Sequence, residues 1–342
     1  MSTDKRFRIT CMLCAIMLSI PLLSACQKNL LPSLQPQELS VVGTVDPLLA
    51  IPHFLAMKLN YFEENQITVN DRWISPTDLA DHWKQATTKP TLMLTDNQGA
   101  NLLNSAAVLL AQLAKGDLVL VGRQQDNQFA WDHLQKQTVL ISRQNHWNTH
   151  QSMVALQNQH LRPNFDYILL TNIPDQLVVN AFVYGTGNYL ITNLPIALRL
   201  ENQLQSQTIT LIDKATGSTL GAGYLTSEQT ITNHRETLQA YIDAIYKAQL
   251  WLKSHSNEEI AQQIAPYYRQ YSVPELTELI NRYRRMGILT DTPVIPDSLM
   301  ATHREVVKLA AHNLQPWKVT INNSLAQQAM KRVKLEPPPP TK

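Results

Sequence analysis

Short apolar runs of strand length alternate with helical patterns through the first two thirds of this chain, and that alternation limits the possible folds more than any other feature. Residues 39–42, 67–69, 92–94 and 118–121 are strand-like, with helical stretches near 52–59 and 100–113 between some of them. A second set follows at 138–141, 167–170, 189–191 and 208–212, interleaved with helices starting near Asn148, Pro174 and Pro195. Strands that alternate with helices build parallel sheets covered on both faces. Two such sets predict an α/β protein with two lobes, a cleft and a hinge.

After Tyr224 the pattern turns wholly helical. Asn233 with Glu236, Ser256 with Glu259 and Ser272 with Glu275 have capping-box spacing, in which the first side chain caps a free backbone N–H and the acid reaches back. Gly287 follows a basic turn, as a left-handed helix stop does, and Pro296 opens a further helix toward Asn313. With too little strand for a third sheet, this helical block is expected to pack on the first lobe.

The N-terminus carries an address. Lys5, Arg6 and Arg8 precede an apolar run of roughly fifteen residues, 9–23, which ends in Ser24 and Ala25 before Cys26. The run is shorter than the roughly 20 residues a spanning helix needs, and its layout is that of an export signal. Leu23, Ser24, Ala25 and Cys26 resemble the lipobox of bacterial lipoproteins, which implies cleavage before Cys26 and acylation of its thiol. Two or three acyl chains hold stably at a membrane where one does not. Cys11 and Cys14 would leave with the signal, so the expected mature body is free of thiols, of disulfides and of thiolate metal sites.

The expected division is 1–25 signal peptide, 26–36 polar tether, 37–124 with 220–333 first lobe, 125–219 second lobe and 334–342 a proline-rich tail. At 44% apolar and 16% charged residues the composition is that of a globular protein with modest charge. Losing Asp4, Lys5, Arg6 and Arg8 with the signal brings the formal charge of +2 to zero, so nothing points to nucleic acid. His146 and His150 are the one pair spaced four apart, with no matching carboxylate, so no metal site is expected, nor any cofactor.

Ile51 through Phe62, with Pro52 opening a helix and Asn60, Tyr61 and Phe62 closing it, resembles a hallmark of one family. The solute-binding proteins of nitrate, sulfonate and taurine ABC transporters, with their thiamine-precursor-binding relatives, carry a similar helix ending in Gly-Tyr-Phe. Asn60 stands where the family has glycine and can adopt the same left-handed backbone, with Tyr61 and Phe62 folding back as core. Trp131 through Val139 is similar to the family's Asp-Leu-Lys-Gly-Lys entry to the second lobe, and Leu161, Arg162 and Pro163 to its Gly-Leu-x-Pro turn. Ala181, Phe182, Gly185 and Asn188 follow its Ala-Phe-x-x-Gly-x-x-Asp pattern, with Pro195 and Glu201 further on. Departures fall at Asn60, Asn188, and at Asn193 with Leu194 where a glutamate usually precedes the proline. The first lobe's Gly-x-x-Asp is absent from 84–90.

This resemblance implies a lipid-anchored, extracytoplasmic, monomeric binding protein that captures a small organic solute and docks on the transmembrane subunits of an ABC permease. It implies a sulfonate- or nitrate-like anion, or a thiamine-pyrimidine-like compound, as the solute. An enzyme on the same fold and a ligand-free structural or sensory lipoprotein are the competing readings. Enzymatic relatives that depend on cysteine find none in the mature chain, and no Gly-x-Ser-x-Gly elbow or phosphate loop is present.

Ligands of open α/β sheets collect at the carboxyl ends of strands and near helix N-termini. That rule nominates Thr44, Asp46, Trp73, Thr95, Asp96 and Asn97 on the first lobe. On the second it nominates Ser142, Arg143, Asn145, Trp147, Thr149, Thr192 and Asn193, and at the return crossing Tyr224, beside the hinge glycines Gly221 and Gly223. Arg143 and the polar loop around it suit an anion, whereas Asp46 and Asp96 suit an amine or an aminopyrimidine edge. Trp73 and Trp147 offer faces for a flat ligand.

Overall fold

The computed structural model describes residues 36–85, 89–103, 105–142, 146–310 and 313–334. Cys26, the signal segment, the tether before Pro36, Arg143, Asn145 and the tail beyond Lys334 lie outside them. The first lobe opens with β1 (Gln37–Gly43), α1 (Ile51–Lys58), α2 (Tyr61–Glu64), β2 (Ile67–Trp73), α3 (Leu79–Gln85), β3 (Thr91–Thr95), α4 (Asn97–Leu103) and β4 (Ala107–Ala114). The second comprises β5 (Leu118–Gly122), β6 (Thr138–Ile141), α5 (His146–Asn158), β7 (Ile168–Leu170), α6 (Asp175–Val183), β8 (Tyr189–Asn193), α7 (Leu194–Leu204), β9 (Gln207–Leu211) and α8 (Asp213–Thr216). β10 (Ala222–Thr226) returns to the first sheet, followed by α9 (Glu228–Asn233), α10 (Arg235–Ser254), α11 (Asn257–Ile264), α12 (Val273–Arg285), α13 (Ser298–Ala310), β11 (Val319–Ile321) and α14 (Ser324–Arg332).

The first sheet runs β11-β4-β10-β3-β1-β2 and the second β7-β6-β8-β5-β9, which is the expected two-lobed α/β architecture. Both sheets are parallel apart from the crossing strands. β10 is antiparallel to β3 and β4, and β5 is antiparallel to β8 and β9, because each of these strands enters its sheet straight from the other lobe.

Three expectations are corrected. Residues 100–113, read as one helix, divide into α4 and the strand β4. Every residue of β4 is buried, and a strand buried on both faces loses the alternation that distinguishes it from a helix. Residues 118–121, assigned to the first lobe, form β5 of the second sheet, so the crossing falls at 115–117. The box expected at Asn233 and Glu236 does not form, since α9 ends at Asn233 and α10 starts after His234 with no side-chain cap. The boxes at Ser256 with Glu259 and Ser272 with Glu275 are both present.

The family-like helix behaves as the resemblance implied. Asn60 has φ 57°, and the turn it makes drives Tyr61 and Phe62 into the core. Phe62 stacks on Tyr241 of α10 at 4.8 Å. His53 is wholly buried within hydrogen-bond distance of the Tyr224 and Tyr241 hydroxyls, at 3.1 and 2.9 Å, and burial lowers its pKa to about 3. It is therefore a neutral core residue.

The C-terminal helices do more than cover the first lobe. α10 packs on α1 and α14, and α11 packs on α1 and α12. α12, however, reaches across to the second lobe, where Arg282 pairs with Glu201 of α7 at 2.7 Å. α13 packs against α5 of the second lobe, with Trp147, Val154, Val306 and Ala310 in one apolar cluster.

Candidate functional site

Both lobes turn the carboxyl ends of β1, β3 and β8 toward one place, where the chain crosses between the sheets. A cavity of about 130 Å³ lies there, lined by Asp46, Leu49, Asp96 and Asn97 of the first lobe and Trp147, Asn148, Gln151 and Asn193 of the second. The crossing segments contribute Gly116, Asp117, Thr219, Leu220 and Gly221, and β5 contributes its first residue, Leu118.

Local chemistry explains each position. Asp46 ends the loop after β1 and accepts the Leu48 N–H at 2.9 Å, starting a short 3-10 turn. Asp96 follows β3 and accepts the Gly99 N–H at 2.8 Å, which aims its carboxyl at the first turn of α4. Gly99 is required there, since a Cβ would fall 1.9 Å from the Thr95 hydroxyl. Asn193 accepts the Ile196 N–H at 3.2 Å and so caps the start of α7.

The crossing is tightly built. A Cβ on Gly221 would lie 2.0 Å from the Lys115 carbonyl oxygen and one on Gly116 2.3 Å from the Thr219 hydroxyl. These glycines let two segments touch, which is a packing role distinct from the hinge role expected for Gly221. Asp213 fastens the return segment, accepting the Thr219 N–H at 3.0 Å and its hydroxyl at 2.8 Å. Gln151 of α5 donates to the same carboxyl at 2.8 Å.

The electrostatics are acidic. Burial raises the Asp96 carboxyl to about 6 against the pull of its backbone hydrogen bonds. Burial and then the nearby Asp46 charge raise Asp117 to about 7, while a hydrogen bond donated by Tyr283 at 3.0 Å pulls it down. Asp46 is raised as well, chiefly by burial, although its side chain reaches the surface at the cavity rim. Behind the wall, burial takes Asp213 to about 7.

Of the sequence candidates, Asp46, Asp96, Asn97, Trp147 and Asn193 line the cavity. Thr44 and Thr95 instead bond each other at 2.9 Å. Trp73 does not face a ligand, since it lies over Gly43, packs on Phe54 at 5.1 Å and donates to the Val45 carbonyl. Tyr224 is buried against His53, and Ser142, Thr149 and Thr192 are buried beyond the lining. Trp147 borders the cavity but offers no free face: it is 2% exposed, lies parallel to His303 at 5.2 Å in a stack that continues to Trp317, and donates to Gln151 at 3.0 Å. Sequence reasoning missed Asp117 and Gln151. Lys115, Gly116 and Asp117 form a short polar break between two apolar runs, which was the available signal for a crossing.

A wider groove of about 570 Å³ runs between α7 and the segment from Gln270 to Leu279. Its lining mixes Pro195, Leu198, Pro274 and Leu279 with Arg199, Glu275 and Glu278.

The fold is that of extracytoplasmic solute-binding proteins, as the sequence resemblance implied. The periplasmic aliphatic sulphonate binding protein SsuA of Escherichia coli superposes with a TM-score of 0.62 at 12% identity, covering 83% of this chain and 98% of that one. DSZB, a desulfurization enzyme solved as a mutant with biphenyl-2-sulfinic acid, superposes at 0.60 with 12% identity over 87% of this chain and 100% of its own. Among curated proteins, YtlA of Bacillus subtilis (strain 168), provisionally named a binding protein, is 23% identical over 266 residues, 75% of this chain and 79% of that one. No family model matches the chain.

Proposed function

We propose that this chain is the lipid-anchored solute-binding component of an ABC importer, tethered through Cys26 outside the cytoplasm, that captures a small organic solute between its lobes and presents it to a permease. The observation that carries this reading is the cavity at the crossing, to which each lobe and both crossing segments contribute polar groups. A ligand that bridges two lobes binds the closed arrangement better than the open one, which is the differential affinity that closure requires. The likeness to SsuA, a sulphonate-binding protein, and to YtlA, named as a binding protein, supports the same reading.

The likeness to DSZB supports a second reading, an enzyme on this fold. Among the described residues, however, no cysteine, serine or histidine lines the cavity, and its one hydroxyl, on Thr219, is bound to Asp213. The capture reading is tested by native mass spectrometry of the chain purified from its own source. We expect one small molecule retained per protein and a mass at the N-terminus fitting acylated Cys26. Turnover of the retained molecule supports the enzyme, and protein with neither ligand nor turnover contradicts capture.

A further inference from the structure

Three residues lining the cavity are carboxylates, Asp46, Asp96 and Asp117, and no lysine or arginine is among the described lining residues. Like charges confined together oppose one another's ionisation, as Asp46 does to Asp117. An entering anion would meet the same repulsion, whereas a cation relieves it. Backbone N–H groups of Gly99, Gln98 and Asp96 itself reach the Asp96 carboxyl, that of Leu48 reaches Asp46, and the Tyr283 hydroxyl with the backbone N–H groups of Asp117 and Leu194 reaches Asp117; a carboxylate offers about four acceptor positions, so each keeps at least one for a ligand.

Asn97 supplies an independent observation. It lines the same cavity, is only 4% exposed, and its side-chain amide has no hydrogen-bond partner among the described residues. With no protein partner, this amide is available to bond a polar ligand group in the cavity. Leu49, Leu118 and Leu220 give the cavity an apolar wall beside these acceptors. Its volume of about 130 Å³ admits only a compact molecule of roughly six non-hydrogen atoms, since a cavity of about 150 Å³ holds benzene.

We infer that the captured solute is a compact organic cation, a protonated amine whose three N–H donors are shared among the carboxylates of Asp96, Asp117 and Asp46 and the Asn97 amide oxygen. This assignment rests on the capture reading and narrows it to one ligand class. The positive charge replaces what three clustered acids lack, and the apolar wall receives the alkyl part.

The test is calorimetric titration with thermal melting of the mature chain in detergent, at pH 7.5 and low salt. Matched probes separate the classes: propylamine, ethanolamine and putrescine against propanesulfonate and nitrate, with 4-aminopyrimidine as the flat uncharged arm. The expected result is binding by an amine alone, weakened at least tenfold by Asp117→Asn or Asp96→Asn, with the unliganded variants melting no lower than the wild type. Should either variant fold poorly, Asn97→Leu reads the same site and should weaken the amine in the same way. Binding of propanesulfonate, nitrate or 4-aminopyrimidine without amine binding overturns the assignment and leaves capture standing. If no probe binds and the purified chain retains no molecule, capture itself falls.

Discussion

Replacing Trp147 by alanine is expected to lower the melting temperature by about 5–10 °C. Truncating a buried tryptophan costs ~3–5 kcal/mol through lost transfer energy and the cavity left behind, and in a domain of this size each kcal/mol corresponds to roughly 2 °C. The structure places the ring in a stack with His303 and Trp317, over Val154, Val306 and Ala310, with its N–H on Gln151. Its loss would also free Gln151, which holds Asp213 and, through it, the return crossing. Trp147→Phe keeps an aromatic ring in the stack but removes the donor, so a smaller shift is expected. Calorimetric or circular-dichroism melts decide, and an unchanged midpoint for the alanine variant would place the ring outside the packed core.

Stability is expected to fall by about 1–3 kcal/mol between pH 6 and 8, continuing a fall of similar size from pH 4.5 to 6. A buried carboxyl with a raised pKa binds its proton more tightly folded than unfolded, so the stability it contributes is present below the ordinary carboxylate value near 3.8 and lost as pH rises through the native value. For Asp96 that native value is about 6, and for Asp117 and Asp213 about 7. His53 and His303 have the opposite sign. Burial lowers them to about 3 and about 4, so below the ordinary imidazole value of 6.5 the unfolded chain takes protons that the native chain refuses. From pH 4.5 to 6 the two histidines offset two of the three acids, which leaves a net loss of about one proton's worth. Above 6.5 the histidines are silent and the losses from Asp117 and Asp213 stand alone. Because Asp117 keeps some contact with water in the cavity, the size belongs at the lower end of the range. Urea melts across pH measure it, and Asp117→Asn should flatten the alkaline limb; a limb that keeps its slope in that variant would assign the proton elsewhere.

The architecture was legible because most strands announce themselves at the right place. β1, β3, β6 and β9 were found within a residue or two, and the boxes at Ser256 and Ser272 formed because a serine and a glutamate three apart satisfy each other with no help from the rest of the fold. Asn60 was legible for a similar local reason, since a left-handed residue is needed wherever one helix turns abruptly into the next. β4 was not legible, because burial on both faces erased its alternation.

The site was half legible. A rule about strand ends finds Asp46, Asp96, Asn97 and Asn193, which follow strands or close them. It cannot find Asp117, whose place depends on where the chain leaves one sheet for the other, nor Gln151, one turn into α5. It also cannot tell a tryptophan that stacks on ligand from one that stacks on protein. Trp147 received its partners from His303 and Trp317, more than 150 residues away, on a helical block expected to touch only the first lobe.

The central claim is that one solute bridges both lobes at the crossing. Hydrogen exchange of the mature chain, with and without the solute it retains, tests this most directly. The account predicts slowed exchange on both sides of the cavity together, in the segments containing Leu48 and Leu49, Asn97 to Gly99, Asn148 to Gln151 and Thr219 to Gly221. Protection confined to one lobe, or centred on the groove between α7 and Gln270 to Leu279, would contradict it.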